Sequence, residues 1–256
     1  RRTAVTKSEI IIAHNGNCRD RDEDIRYIIL HCSAYPPEKQ LEILAQNGLS
    51  AHYIIGRKGR VFENCPPEKV AYHAGQSRWL NSEGSSLNGC SIGIEIEAPR
   101  LGQTRKDYLT ATMRELCVLL TKLMYRFGIK PSSVLGHSDI APTRKSDPGV
   151  GFPWRKLWQM NLAVYPNLHH LVRETDELKL LQTIGYDIEN LSAARYAFCR
   201  HFMPEEVAID EDMQHLLDNP YPPEFTPANW DRYIQRLRAT VYAFQADRAL
   251  RSLYQS

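Results

Sequence analysis

His137 heads the run Gly136-His137-Ser138-Asp139-Ile140-Ala141-Pro142-Thr143-Arg144-Lys145-Ser146-Asp147-Pro148-Gly149. An imidazole, an ammonium (Lys145) and a carboxylate (Asp147) thus share one Pro/Gly-punctuated loop, which follows the short apolar run Ser133-Val134-Leu135. Loops leaving the ends of strands are where side chains converge on a cleft. Neutral imidazole and carboxylate are ordinary zinc ligands, and a third ligand of similar type would leave the fourth tetrahedral position open for water. The candidate third ligand is His31. It ends the apolar, β-branched run Ile25-Arg26-Tyr27-Ile28-Ile29-Leu30, which reads as a buried strand with its last residue emerging at the sheet edge.

The elements that must hold these groups are legible in the hydrophobic pattern. Tyr53–Ile55 and Arg60–Phe62 flank a turn containing Gly59 and predict a hairpin. Ser91–Glu97 alternates, with Ile92, Ile94 and Ile96 on a core face and Gly93, Glu95 and Glu97 on a face that can line a cleft. An amphipathic helix runs from about Tyr108 to Phe127, carrying Met113, Leu116, Leu120, Leu123, Met124 and Phe127 at helical spacing, and Gly128 and Pro131 stop it. Strands alternating with helices, plus a hairpin, predict an α/β fold with a mixed central β-sheet flanked by helices. Residues 1 to 24 are polar and charged apart from Ile10-Ile11-Ile12, and read as an N-terminal arm. Beyond Tyr165-Pro166-Asn167 the strand patterns cease. Helical runs over Thr175–Ile184, Ser192–Phe202 and Trp230–Leu253 predict a small all-α C-terminal three-helix domain, residues 168 to 256, after a 25 to 166 catalytic domain.

Composition narrows the function classes. The 256 residues, 43% of them hydrophobic, suffice for a sizeable core. A formal net charge of +2 gives no broad basic field, which argues against a nucleic-acid partner. No apolar run approaches the ~18 residues that would cross a bilayer. The chain opens with Arg1-Arg2, which we read as a processed form, leaving a lipid anchor upstream open. Six scattered cysteines lack the CxxC spacing of a metal knuckle, and Cys117 falls on the apolar face of the long helix.

His31, His137 and Asp147, with Lys145 two residues before the aspartate, resemble the zinc site of the N-acetylmuramoyl-L-alanine amidases of the amidase-2 family. Ser50-Ala51-His52-Tyr53-Ile54-Ile55, Ala71-Tyr72-His73-Ala74-Gly75, Ser91–Glu97 and Phe152-Pro153-Trp154 agree with it in order. The likeness covers about Tyr27 to Trp158. It is nearest to the AmiD-like envelope amidases, because Leu180–Asp187 and Ala197–Phe202 further on resemble a three-helix peptidoglycan-binding domain. That domain departs from its usual pattern at Cys199-Arg200 and in a long acidic insertion.

The resemblance implies hydrolysis of the amide between the lactyl group of N-acetylmuramic acid, or its anhydro form, and L-alanine of the stem peptide. It implies zinc on His31, His137 and Asp147, Glu95 as proton carrier and Lys145 as stabiliser of the oxyanion. Glu97, which shares the face of Glu95, is the fallback acid. His52 and His73 stand in family-like segments as candidate contacts to glycan or peptide, Arg78 and Trp79 are candidates for the border of the groove, and a periplasmic or envelope location is expected. Two other readings use the same residues: a peptidoglycan recognition module that binds without cutting, and a cytosolic amidase recycling anhydromuramyl peptides. Every candidate catalytic group precedes Asn167, so the helical segment is expected to serve contact with the polymer.

Overall fold

The computed structural model describes residues 9–80, 82 and 85–250. Among these, six strands form one mixed sheet in the order β1 (Ile10–Ile12), β5 (Val61–Glu63), β4 (Tyr53–Ile55), β7 (Ser91–Glu97), β3 (Tyr27–Ser33) and β8 (Val134–Gly136). β3 is flanked on both sides by parallel partners, and Tyr27 to Cys32 are all buried, as a near-continuous apolar run in mid-sheet requires. β7 keeps the expected alternation, with Ile92, Ile94 and Ile96 in the core and Glu95 and Glu97 half-buried opposite. Its register with β3 pairs His31 with Glu95, which puts a ligand candidate and an acid side by side at one end of the sheet. β4 and β5 form the antiparallel hairpin that makes the sheet mixed.

Two helices fix the catalytic end. Helix α2 (Thr110–Phe127) buries Met113, Leu116, Leu120, Leu123 and Met124, together with Cys117, and ends where Gly128, at φ 62°, returns its N–H to the carbonyl of Met124. The single-turn helix α3 (His137–Ile140) starts directly from β8, so the strand and the turn that carries His137 are continuous.

The N-terminal residues depart from the expected arm. β1 pairs in parallel with β5, and β2 (Cys18–Asp20) pairs antiparallel with β6 (Lys69–Ala71). Arg21 then drives its guanidinium into the fold, donating to the carbonyls of Pro67 at 3.0 Å, Gly89 at 2.6 Å and Ser91 at 2.7 Å. The charged composition suggested a solvated segment because both strands are only three residues long and largely exposed, with Ile11 and Ile12 of β1 facing outward. The backbone bonds and one half-buried arginine hold them down.

Beyond Asn167 the structure is helical: α5 (Glu177–Ile184), α6 (Leu191–Phe202), a short α7 (Met213–Asp218) inside the acidic insertion, and α8 (Trp230–Leu250). Residues 251 to 256 lie outside the described residues. The boundary near Tyr165 marks a change in secondary structure and not a gap in packing, because one hydrophobic core runs through both parts. Trp79 of the sheet region is 1% exposed and packs against Tyr186 and Phe244, while Ser132 N–H donates to the Asp247 carboxylate. Replacement Arg21→Ala is expected to lower the unfolding free energy by about 2–3 kcal/mol, since a charged donor leaves three carbonyls behind. Urea titration checks this, and a loss below about 0.5 kcal/mol, the range of an ordinary surface change, would mean that the first strands are only loosely attached.

Candidate metal centre

His31 Nδ1, His137 Nδ1 and Asp147 Oδ2 form a triangle with sides of 2.9, 3.1 and 3.1 Å. Among the described residues it is the only group of three or more His, Cys, Asp and Glu side chains able to share one ion. Ligand atoms on a tetrahedral zinc with bonds of about 2.0–2.1 Å stand about 3.3 Å apart, close to these sides. The far nitrogen of each imidazole decides what the near one offers. His137 Nε2 lies 3.0 Å from the Ala74 carbonyl, which can only accept, so Nε2 carries the proton and Nδ1 presents a lone pair. His31 Nε2 is 2.9 Å from His73 Nδ1, His73 Nε2 is 3.2 Å from Ser91 Oγ, and Ser91 Oγ donates to the Leu87 carbonyl at 2.6 Å. Read from that terminal acceptor backwards, every donor points away from the triangle. Three electron-rich atoms therefore face one another, and a cation satisfies them all.

Titration directions agree with that assignment. Burial, then the neighbouring His137, lowers the His31 pKa to about 4, so the ring is neutral at physiological pH. Burial pushes the Asp147 carboxyl up, but His137 and His31 beside it pull it further down, well below the ordinary carboxylate value. Two neutral imidazoles and a carboxylate suit zinc better than the hard cations, which prefer an all-oxygen shell. The loop that supplies Asp147 is tied to the turn that supplies His137 by Ser138 N–H donating to the Asp147 carbonyl at 2.9 Å.

The triangle opens on a cleft of about 360 Å³ that also exposes Glu95, Lys145, Arg144 and Leu217. Burial, then repulsion from Asp147, raises the Glu95 pKa to about 8, with Lys145 opposing the shift. A carboxyl poised near neutrality beside a three-ligand site is equipped to pick up a proton and release it again. A larger cavity of about 1040 Å³ lies elsewhere, between Arg78 and the α5–α8 helices, and contains none of these groups.

Residues 21–150 match the family of N-acetylmuramoyl-L-alanine amidases designated Amidase_2. The amidase AmiD of Escherichia coli K12 is 30% identical over 210 residues, covering 70% of this chain and 75% of that protein. This chain belongs to the amidase-2 family. The structure of E. coli AmiD in complex with anhydro-N-acetylmuramic acid-L-Ala-D-γ-Glu-L-Lys covers 88% of this chain and 92% of its own, with a TM-score of 0.67 and 26% identity. AmpDh3 of Pseudomonas aeruginosa in complex with an anhydromuramic pentapeptide covers 85% of this chain and 94% of its own, with a TM-score of 0.62 and 25% identity. The protein is accordingly an N-acetylmuramoyl-L-alanine amidase, a hydrolase of the lactyl–alanine amide.

The amidase fold assigns other duties to several expected contact residues. His52 is fully buried: its Nδ1 accepts from Gly93 N–H at 2.9 Å and its Nε2 donates to the Lys69 carbonyl at 2.9 Å, so it cross-links strands and cannot reach a ligand. Trp79 is buried in the core and does not line the cleft that holds His31, His137 and Asp147. Arg78 is exposed but turned to Glu189 and Asp187, outside the catalytic cleft. Glu97 accepts from Arg57 N–H at 2.9 Å and does not line the cleft. His73 does reach the cleft wall, edge-on to His31, and its ring lies where a Cβ on Gly93 would stand, 2.4 Å from His73 Cγ.

Sequence reasoning passed over the residues that hold the amidase loops. Asn88 Oδ1 accepts from His73 and Ala74 N–H, and Arg144 donates to the Ala74 carbonyl, fixing the oxygen that orients His137. Arg144 alone carried a signal, being in the His137 loop. For Glu95 the folded-state pKa of about 8 exceeds its ordinary 4.5, so the fold loses stability as pH rises from 4.5 to 8. Glu95→Gln is therefore expected to raise the melting temperature of chelator-treated protein at pH 8, and the advantage should vanish below pH 4.5. Calorimetry at both pH values checks it; an identical difference at the two would show that Glu95 is not held protonated by the fold.

Proposed function

We propose that the chain is a zinc amidase of the cell envelope in which His31, His137 and Asp147 bind the metal, Glu95 moves the proton and Lys145 stabilises the oxyanion. The triangle of lone pairs beside the raised Glu95 carries this reading. A bound zinc ion supplies water activation at neutral pH and polarisation of the amide carbonyl. Glu95 accepts a proton from the attacking water as the new C–O bond forms. It then passes that proton to the alanine nitrogen as the C–N bond breaks, releasing a free amine and a lactyl carboxylic acid, whose own proton then goes to solvent or to the amine. The Lys145 ammonium on the cleft wall offsets the negative charge that develops on the carbonyl oxygen.

Muramyl peptides are the substrate class we assign, supported by the related enzymes seen with anhydromuramyl peptides. Cleavage is favoured over recognition alone by the complete ligand set and by the carboxyl poised beside it. An envelope location is supported by the extent of the AmiD likeness, which at 88% of the chain takes in most of the helical region. No helix among the described residues is long and apolar enough to cross a membrane.

His137→Ala is expected to abolish stoichiometric zinc, measured by elemental analysis; full zinc content in that variant would remove His137 from the ligand set. Glu95→Gln and Lys145→Ala should keep zinc but lose about 100- to 10,000-fold and about 100- to 1,000-fold in kcat respectively. Release of L-Ala peptides, followed by mass spectrometry, measures both losses. A crippled Glu97→Gln beside a normal Glu95→Gln would reverse the choice of acid.

A further inference from the structure

Asp139 is 1% exposed and two residues past His137, and its carboxylate has three donors. One is local: Gly136 N–H, at 2.8 Å to Oδ2, which sets the start of α3. The other two come from the helical region: Tyr186 OH at 2.6 Å to Oδ1, and His201 Nδ1 at 2.8 Å to Oδ2. A carboxylate oxygen accepts, so His201 Nδ1 is the donor in this pair. The His201 ring is itself clamped between Trp154, stacked at 3.7 Å, and Phe202, stacked at 3.8 Å. Trp154 in turn borders Gly136, with its Cζ2 3.3 Å from where a Cβ would be.

The turn held by this cluster delivers two of the three ligand atoms. His137 opens it, and Ser138 N–H holds the Asp147 carbonyl. We propose that Tyr186 and His201 are positioning residues for the metal centre, so that the helical region tunes metal binding through Asp139 instead of serving only as a contact with the polymer. Without them Asp139 would be a buried carboxylate with a single local donor, and its grip on the 136–140 turn would relax toward whatever partner it could find. The inference rests on the zinc reading above.

The test uses the full chain. Zinc affinity by chelator competition, the visible spectrum of the cobalt-substituted protein and the melting temperature of the metal-free protein are compared for wild type, Tyr186→Phe, His201→Leu and His201→Asn. Partners that orient ligands typically contribute 10- to 100-fold in metal affinity. Tyr186→Phe and His201→Leu should each weaken zinc binding about tenfold and change the cobalt spectrum, whereas His201→Asn, which keeps a donor near the Nδ1 position, should restore most of both. Wild-type affinity and spectrum in Tyr186→Phe and His201→Leu, whatever their melting temperatures, would overturn the inference and leave the helices as packing. If His201→Leu does not fold, Tyr186→Phe decides, since it deletes one oxygen atom. A wild-type chain that binds no zinc would overturn this inference and the zinc reading together, whereas a zinc-binding wild type matched by Tyr186→Phe overturns this one alone.

Discussion

Three electron-rich atoms held about 3 Å apart are the constraint on which the rest of the structure turns. Left to themselves two imidazole lone pairs and a carboxylate repel, and each could relax by rotating toward water. The fold prevents this by engaging the reverse side of each group. Ala74 O takes the His137 proton, the His73–Ser91–Leu87 chain takes that of His31, and the 136–147 loop closes on itself behind Asp147. Preorganisation of this kind is paid for in folding, because no metal ligand gains stability from facing its neighbours in the metal-free chain.

The same tension recurs at Glu95. A strand acid at a solvated edge would ionise and cost nothing, but β7 lies between β4 and β3 and holds its carboxyl in a place where burial and Asp147 both oppose charge. The register that sets Glu95 beside His31 leaves it no alternative. The proposed proton carrier and the proposed ligand are thus adjacent through the parallel pairing of two strands, a long-range feature that neither strand encodes alone.

How much of this was legible follows from how local each signal is. His31, His137 and Asp147 stood out because strand ends and a Pro/Gly-rich loop advertise themselves over a dozen residues, and Glu95 because period-two alternation sorts β7 into two faces. The α2 helix and the hairpin were visible for the same reason. The first two strands were not, since three-residue strands, one of largely exposed isoleucines and one reading Cys-Arg-Asp, are too short to show a period within a charged segment. His52 looked like a site residue because its segment does, and Trp79 like a groove border, but their burial depends on partners in β7 and α8, far along the chain. Tyr186 and His201 had no signal at all. They meet Asp139 across 47 and 62 residues.

The contact between His73 and Gly93 carries a consequence for sequence change. With a Cβ at position 93 falling 2.4 Å from His73 Cγ, the two sites share one volume, and position 93 cannot gain a side chain while the His73 ring stands there. Among descendants of this chain, a side chain larger than hydrogen at 93 is permitted only after position 73 has shrunk, and that change removes the acceptor of the His31 Nε2 proton. The order of substitutions is therefore forced through an intermediate with a compromised ligand, so the two positions are expected to covary or stay fixed together, a lineage effect written by sterics in a β-sheet and not by any direct contact with substrate.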